Sequence, residues 1–447
     1  MSDIEWFEDA VVYQVYPLGC CGAPWEQDCQ LEHRLPRLAQ PAWVDHLKSL
    51  GVDCLLLNPV FASGSHGYDT SDYLTVDPRL GTNDDLRDLV ATYHEAGIRV
   101  MLDGVFNHAG RGFAPFRDVL ASREQSRYRD WFNISFDGDD GYGDGLWYED
   151  WEGAGDLVKL NLGNDEVKNY LYDVVRRWVA DYDIDGLRLD VAYCLDLGFL
   201  WGLRDLANEV KPGFVLMGET MFGDYNTWMG EHGCHSVTNY ECYKGLWSAV
   251  ANKNLPEVTY AFKRQSGTDP WCLYTGAHLF DFLENHDVDR IATKLADAPQ
   301  KLAPLYGLLY GMPGIPCLYY GGEWGVEGAK LPGDHELRPA FDVPGENDLT
   351  TWLRRLGTAY HTTRALAQGG YQEVLVQPEC CVFERLVDDE CGRERVLVAV
   401  NIADEPVHLD FDAGCGQATD LITGELHDFG GGSDLEPCSC HFWLCER

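Results

Sequence analysis

The feature that most constrains this chain is a recurrence: short apolar runs rich in β-branched residues alternate with amphipathic stretches of helical period. The runs are VVYQVY (11–16), DCLLLN (53–58), RVMLD (99–103), GLRLD (186–190), FVLMGE (214–219), SVTNY (236–240), LFDFL (279–283) and PCLYY (316–320). Such alternation marks βαβ units and a parallel sheet. Eight strands of this kind are the number that closes a (β/α)8 TIM barrel, so the fold class predicted is α/β. Between the second and third runs, TNDDLRDLVATYHEAG (82–97) predicts a helix, with Thr82 or Asn83 as its cap, acids in its first turn and Gly97 as its stop.

The intervals between the runs divide the rest of the chain. Asp190 to Glu219 fits one βα unit and Glu219 to Asp287 fits two, but Asp103 to Asp190 far exceeds the roughly 30 residues of a single unit. The excess contains FDGDDGYGDGLWYEDWEGAGD (136–156), which predicts a loop-rich insertion after strand 3, beside the barrel mouth. Beyond about residue 368, CVFERLV (381–387), RVLVAVNIA (395–403), PVHLDF (406–411) and CHFWLC (440–445) read as strands with no helix between them. The expected organisation is a barrel over 1–106 and 163–367, an inserted subdomain over 107–162, and a C-terminal all-β domain, a β-sandwich, over 368–447.

At 447 residues, 45% of them hydrophobic, the chain can bury a large core together with smaller ones. Its net charge of −39 is spread along the sequence and argues against nucleic acid or an anionic membrane as partner. The N-terminal segment has neither a basic region nor an apolar core of signal-peptide type, and no run is long enough to span a bilayer, so a soluble, cytoplasmic protein is expected. Sixteen scattered cysteines without CxxC spacing read as reduced, small apolar residues rather than disulfides or zinc ligands.

Against this apolar background, GLRLD stands out. Strand parity puts Leu187 and Leu189 on one face and Arg188 and Asp190 on the other, towards the barrel axis. Unpaired charge there would be costly, but barrel active sites lie at the C-terminal ends of the strands, and Asp190 ends its run. Three other runs end alike: Asp103, Asn107 and His108 after the third, Glu219 after the fifth, His286 and Asp287 after the seventh. Carboxylates at several strand ends would converge on one pocket.

DGVFNH, GLRLDVA, GET and ENHD, in this order and spacing, resemble the four characteristic regions of the alpha-amylase family of glycoside hydrolases; YQVYP, HGYDTSDY (66–73) and GIPCLYYGGE (314–323) extend the likeness over residues 10 to 345. The resemblance implies Asp190 as nucleophile, Glu219 as acid and then base, and Asp287 as a third carboxylate that binds sugar hydroxyls. It implies substrate-binding roles for Tyr68, His108, Arg188 and His286, with Asp103 in support; Tyr193 and Arg290 complete the expected binding set. A retaining mechanism follows from such a pair of carboxyls. Glu219 must begin the cycle protonated, which an enclosed, acidic site favours.

Two departures refine the expectation. In DLVKLNL (156–162), Lys159 stands where calcium-binding alpha-amylases commonly have an aspartate, so no cofactor is expected, with calcium, for which Asn107 would remain a ligand, left as the disfavoured alternative; the segment resembles the neopullulanase and cyclomaltodextrinase branch. After the nucleophile, Tyr193 and Cys194 replace a Lys-His pair that contacts sugar on the leaving-group side. The first strand begins near residue 11, so dimerisation through that branch's N-terminal domain is not expected, and the oligomeric state stays open. The implied partner is an α-glucan oligosaccharide, cleaved at α-1,4 bonds of maltooligosaccharides or maltodextrin. Hydrolysis and transfer to a sugar acceptor, as in a 4-α-glucanotransferase, are both open.

Overall fold

In the computed structural model, which describes residues 4–331 and 333–445, all eight runs contain strands of one parallel sheet. They are β1 (Val12–Val15), β2 (Cys54–Leu57), β3 (Arg99–Gly104), β4 (Gly186–Leu189), β5 (Val215–Gly218), β6 (Ser236–Val237), β7 (Phe280–Phe282) and β8 (Ile315–Tyr319). The order is β6-β5-β4-β3-β2-β1-β8-β7, and a bridge between Thr238 and Phe280 joins the outermost strands into a closed barrel. Expected chain limits at residues 1 and 447 lie outside the described residues.

The sixth run is shorter than the sequence predicts. SVTNY does not continue as a strand, because the Asn239 side chain accepts the Cys242 N–H (3.2 Å) and caps a helix, Tyr240–Ala251. Elsewhere local chemistry acts as read. Thr82 and Asp85 form a reciprocal capping box on the helix Asn83–Glu95, and Gly97 beyond its end takes a φ of +83°.

Two cores follow from strand parity. Residues facing outwards, such as Leu55, Leu57, Leu102, Leu187, Leu189 and Leu216, pack with the surrounding helices. Residues facing the axis form a separate apolar cluster of Val12, Cys54, Leu56, Met101, Val215, Met217, Phe280, Phe282, Ile315 and Cys317, plugged by Phe7 of the short helix Glu5–Glu8. Register stacks this cluster in layers: Leu56 lies beside Met101, and Met101 beside Gly186.

The stretch between β3 and β4 holds short antiparallel strands, His108–Gly110 paired with Ala154–Lys159, and a helix, Ala114–Ser122. A Cβ at Gly110 would come 2.2 Å from the Asp69 carbonyl oxygen, so glycine permits this insertion to lie against the 66–73 segment. At the C-terminus a six-stranded antiparallel sheet is joined by a two-stranded one, Val407–Leu409 with Ser433–Leu435. Parity works here too. Leu397 and Ala399 face the core shared with Leu409 and Leu435, while Val396, Val398 and Val400 belong to the large core that includes barrel helices. Arg385, fully buried, donates to the carbonyls of Gly311, Met312 and Gly369, fastening this sheet to the end of the barrel helix Leu302–Gly311. No helix among the described residues is long and apolar enough to cross a membrane.

Candidate active site

Towards the C-terminal ends of the strands the axis-facing residues become polar. Gln14 of β1 donates to Asn58 after β2 (3.0 Å), and Asn58 donates to Asp103 of β3 (3.0 Å). Asp103 accepts also from the Tyr68 hydroxyl (3.0 Å) and from Arg188 of β4 (2.6 Å). This layer is buried and carries the next one, as a floor carries what stands on it.

Arg188 is the hub. Its guanidinium lies 3.3 Å from Asp190 Oδ1 and 2.7 Å from Glu219 Oε1, so three carboxyl groups from three adjacent strands share one cation. Attraction and hydrogen bonding here offset the desolvation that an unpaired charge would suffer. Glu219 is fixed by two further donors, the backbone N–H of Val191 (3.0 Å) and the Tyr240 hydroxyl (3.3 Å). Val191 takes φ 39° and ψ 49°, a left-handed conformation rare for a β-branched residue, and this orientation accompanies its N–H bond to Glu219.

Asp287 lines the same cleft and is held by a different set of partners. Its carboxyl lies 3.0 Å from His286 Nε2 and accepts from Arg338 (3.1 Å), while its backbone N–H donates to Asn285 Oδ1 (2.8 Å). The His286 ring stacks between Tyr16 (centroids 5.9 Å) and Tyr68 (5.4 Å), and its Nε2 also meets the Tyr68 hydroxyl.

The acids differ in proton affinity. Burial first, then the charges of Glu219, Asp103 and Asp287, hold Asp190 well above the ordinary carboxylate range against the pull of Arg188. Asp287 behaves oppositely: burial opposes ionisation, but His286, Arg338 and Arg188 keep it well below that range. Burial also pushes the His108 imidazole down to about 3, leaving it neutral, with Nε2 unpartnered and 3.8 Å from Asp190. Burial and Glu219 raise Tyr240 well above an ordinary phenol, which keeps it a donor.

A cleft of about 360 Å³ opens over these groups. Of the residues expected from sequence, Tyr68, His108, Asp190, Glu219 and Asp287 line it. Asp103, Arg188 and His286 stand directly behind and hold the lining residues. Tyr193 is set at the rim, its ring 4.9 Å from Phe222 and its hydroxyl 3.3 Å from Glu152 of the insertion. Arg290 is not brought to the cleft. It is fully buried, paired with Glu284 (3.3 Å) and donating to the carbonyls of Tyr320 and Leu337, where it ties loops together. Lys159 pairs with Glu149 (2.5 Å), so an ammonium stands where the resemblance would otherwise suggest a calcium ligand.

Several lining residues carry no distinguishing mark in the sequence. Tyr240 lay inside a run read as strand, and Trp25, Trp151 and Arg338 sit in segments with no motif of their own. Asn285, which holds both Asp287 and Tyr240, was in plain view inside ENHD.

The profile of the alpha-amylase catalytic domain matches residues 42–349. The chain belongs to the alpha-amylase family of glycoside hydrolases. Within the family it is 31% identical over 386 residues to the intracellular maltogenic amylase of Bacillus subtilis, covering 83% of this chain and 64% of that protein. It is likewise 31% identical over 441 residues to a cyclomaltodextrinase of Geobacillus thermopakistaniensis, covering 94% of this chain and 74% of the relative. Among solved structures, the cyclic alpha-maltosyl-(1→6)-maltose hydrolase of Arthrobacter globiformis superposes with a TM-score of 0.83 at 25% identity, over 99% of this chain and 100% of that one.

Proposed function

We propose that the chain is a retaining α-glucan hydrolase that cleaves α-1,4 bonds of maltooligosaccharides and maltodextrins. The observation that carries this reading is the joint hold of Arg188 on Asp190 and Glu219 at the floor of an enclosed cleft, with Asp287 facing them. In the first step Glu219 gives its proton to the glycosidic oxygen while Asp190 attacks the anomeric carbon; the C–O bond to the leaving sugar breaks and a glycosyl ester forms on Asp190. In the second, Glu219, now a carboxylate, takes a proton from water, whose oxygen displaces Asp190. Arg188 stabilises Asp190 as it becomes a leaving group again. Asp287, kept ionised by His286 and Arg338, accepts hydrogen bonds from sugar hydroxyls; Tyr68 offers an aromatic face to the same ring. No step calls for a metal.

The named relatives support glucan substrates, and an intracellular place of action accords with the name of the Bacillus subtilis protein. Incubation with maltoheptaose, followed by resolution of the products, tests the reading: shorter maltooligosaccharides of retained anomeric configuration are expected, and inertness towards maltoheptaose, starch, pullulan and β-cyclodextrin would remove it. The Tyr193–Phe222 pair at the leaving-group rim favours a second reading, in which a sugar stacked there replaces water as acceptor. Products longer than the starting sugar would show such transfer.

A further inference from the structure

We infer that Cys415 and Cys445 are a redox modification site: two thiols set to close into one disulfide by exchange with a low-molecular-weight disulfide of the glutathione class, stapling the last strand of the C-terminal sheet. The observation behind this is a contact. The two sulfurs lie 3.1 Å apart although 30 residues separate them in the chain. Cys445 ends the strand Ser439–Cys445 and pairs in register with Ala418 of the strand Gln417–Asp420, while Cys415 stands in the turn that leads into that second strand.

The contact is built from both sides. In the turn, the Asp412 side chain accepts the Gly414 N–H (2.9 Å), and Gly414 takes a φ of +64°, a left-handed conformation open to glycine without strain. Just beyond, the Gly416 carbonyl accepts from the Phe429 N–H (3.0 Å). Arg395, of the strand Gly392–Asn401, donates to the Ala413 carbonyl (2.5 Å) and to Cys445 Sγ (3.4 Å), so one guanidinium holds the turn and the strand end together. Glu384 of the neighbouring strand pairs with the same guanidinium. Closing the bond requires the sulfurs to approach by about 1 Å, which rotation about the two Cα–Cβ bonds supplies.

The two thiols have different parts to play. Cys415 is half-buried and lines an open hollow of about 810 Å³ with Phe411, Gln417, Asp428 and Phe429, so a small disulfide reaches it from solvent. Cys445 is buried. Burial first, then the neighbouring Cys415, push the Cys445 thiol up to about 12 against the pull of Arg395, so it keeps its proton while Cys415 acts. The Cys415 thiolate attacks one sulfur of oxidised glutathione; that S–S bond breaks, a glutathione thiolate leaves, and a mixed disulfide forms on Cys415. Cys445 then gives its proton to solvent, and its thiolate, stabilised by the adjacent Arg395 guanidinium, attacks Cys415 Sγ and expels the second glutathione. Two cysteine thiols are oxidised to one disulfide, and one glutathione disulfide is reduced to two thiols. The bond closes the chain from 415 to 445 into a loop, which restricts the unfolded state and pins the end of the last strand.

The test is a peptide map, made without reduction, of the full chain after reduction with dithiothreitol, desalting and incubation with oxidised glutathione. A cross-linked pair joining the peptides of Cys415 and Cys445, lighter by two hydrogen atoms than the two thiol peptides together and separated again by dithiothreitol, is expected. The cross-linked chain should melt a few degrees higher than the reduced one. Cys445→Ser should stop at the mixed disulfide, with glutathione retained on Cys415, and Cys415→Ser should leave Cys445 unmodified; Cys391→Ser, which removes an exposed cysteine elsewhere in the same domain, should still form the cross-link. The inference is overturned if both thiols of the wild type are still free to alkylation after oxidation and denaturation, if Cys415 carries only glutathione, or if either cysteine is joined to a different one. A cross-linked chain that melts no higher than the reduced one would overturn the staple.

Discussion

The lower and upper halves of the barrel interior are built by the same strands and the same face, yet they hold opposite chemistry. Met101 and Met217 are in the apolar cluster, whereas two residues further along the same strands stand Asp103 and Glu219; Gly186 at the lower level is followed on the same face by Arg188 and Asp190. Packing of shape suffices below, where any void costs contact energy. Above, stability requires that each charge find its partner, and the partners come from different strands. The difference teaches that the upper layer depends on the register of three neighbouring strands, since Asp103, Arg188 and Glu219 meet only through it.

Substitutions in the two halves should therefore fail differently. The largest effect is expected for Asp190→Asn, which removes the proposed nucleophile with almost no change of shape: turnover of maltoheptaose should fall by about four to six orders of magnitude, the scale seen when one member of a covalent catalytic unit is lost, and near-normal rates would refute its role. Glu219→Gln should lower turnover of unactivated glucans by about 10²–10⁴-fold, with a smaller loss on aryl glycosides whose leaving group needs no proton; equal losses on both would speak against Glu219 as the acid. Arg290→Met removes the cation paired with buried Glu284 and should cost about 3–5 kcal/mol of stability in denaturant unfolding. Below the catalytic layer, Met217→Ala should cost about 2–5 kcal/mol through the cavity it leaves.

The smallest effect is one of sign. Because Asp190 in the folded protein holds its proton more tightly than in the unfolded chain, its burial costs nothing at a pH below the ordinary carboxylate value. The cost appears as the pH rises past that value towards the higher folded one. Asp190→Asn cannot ionise, so it should match the wild type in melting temperature near pH 4 and exceed it at pH 7. A variant that loses stability equally at both would contradict the raised affinity.

Much of this contrast was legible in the sequence, because period-two alternation records which face a residue takes regardless of what it meets there. The eight strands could be read from apolar runs, the insertion from an interval too long for one βα unit, and the inward facing of Arg188 and Asp190 from parity. Parity is silent about partners, however. Arg188 and Arg290 are both buried arginines close to acidic residues, but one faces three carboxyls beneath a cleft and the other holds Glu284 and two loop carbonyls away from it. Nothing local to Arg290 distinguishes the two. Trp25 and Arg338 were invisible for a related reason: each reaches the cleft from a loop, held by contacts with residues remote in sequence such as Arg79 and Asp287. Tyr240 was hidden by an apolar run that an asparagine cap turns into a helix.

The N–H of Val191 belongs to the peptide that directly follows Asp190, the proposed nucleophile, and it holds Glu219, the proposed acid. The placing of these two carboxyls is thus gauged partly by main chain, which only a proline at position 191 would delete. In the proposed mechanism the spacing of these carboxyls decides whether the anomeric configuration is kept or inverted, so a main-chain hold would shield that outcome from part of the drift in the side chains around it. Substrate preference can wander as the walls of the cleft change, while the handedness of the product stays inherited with the backbone.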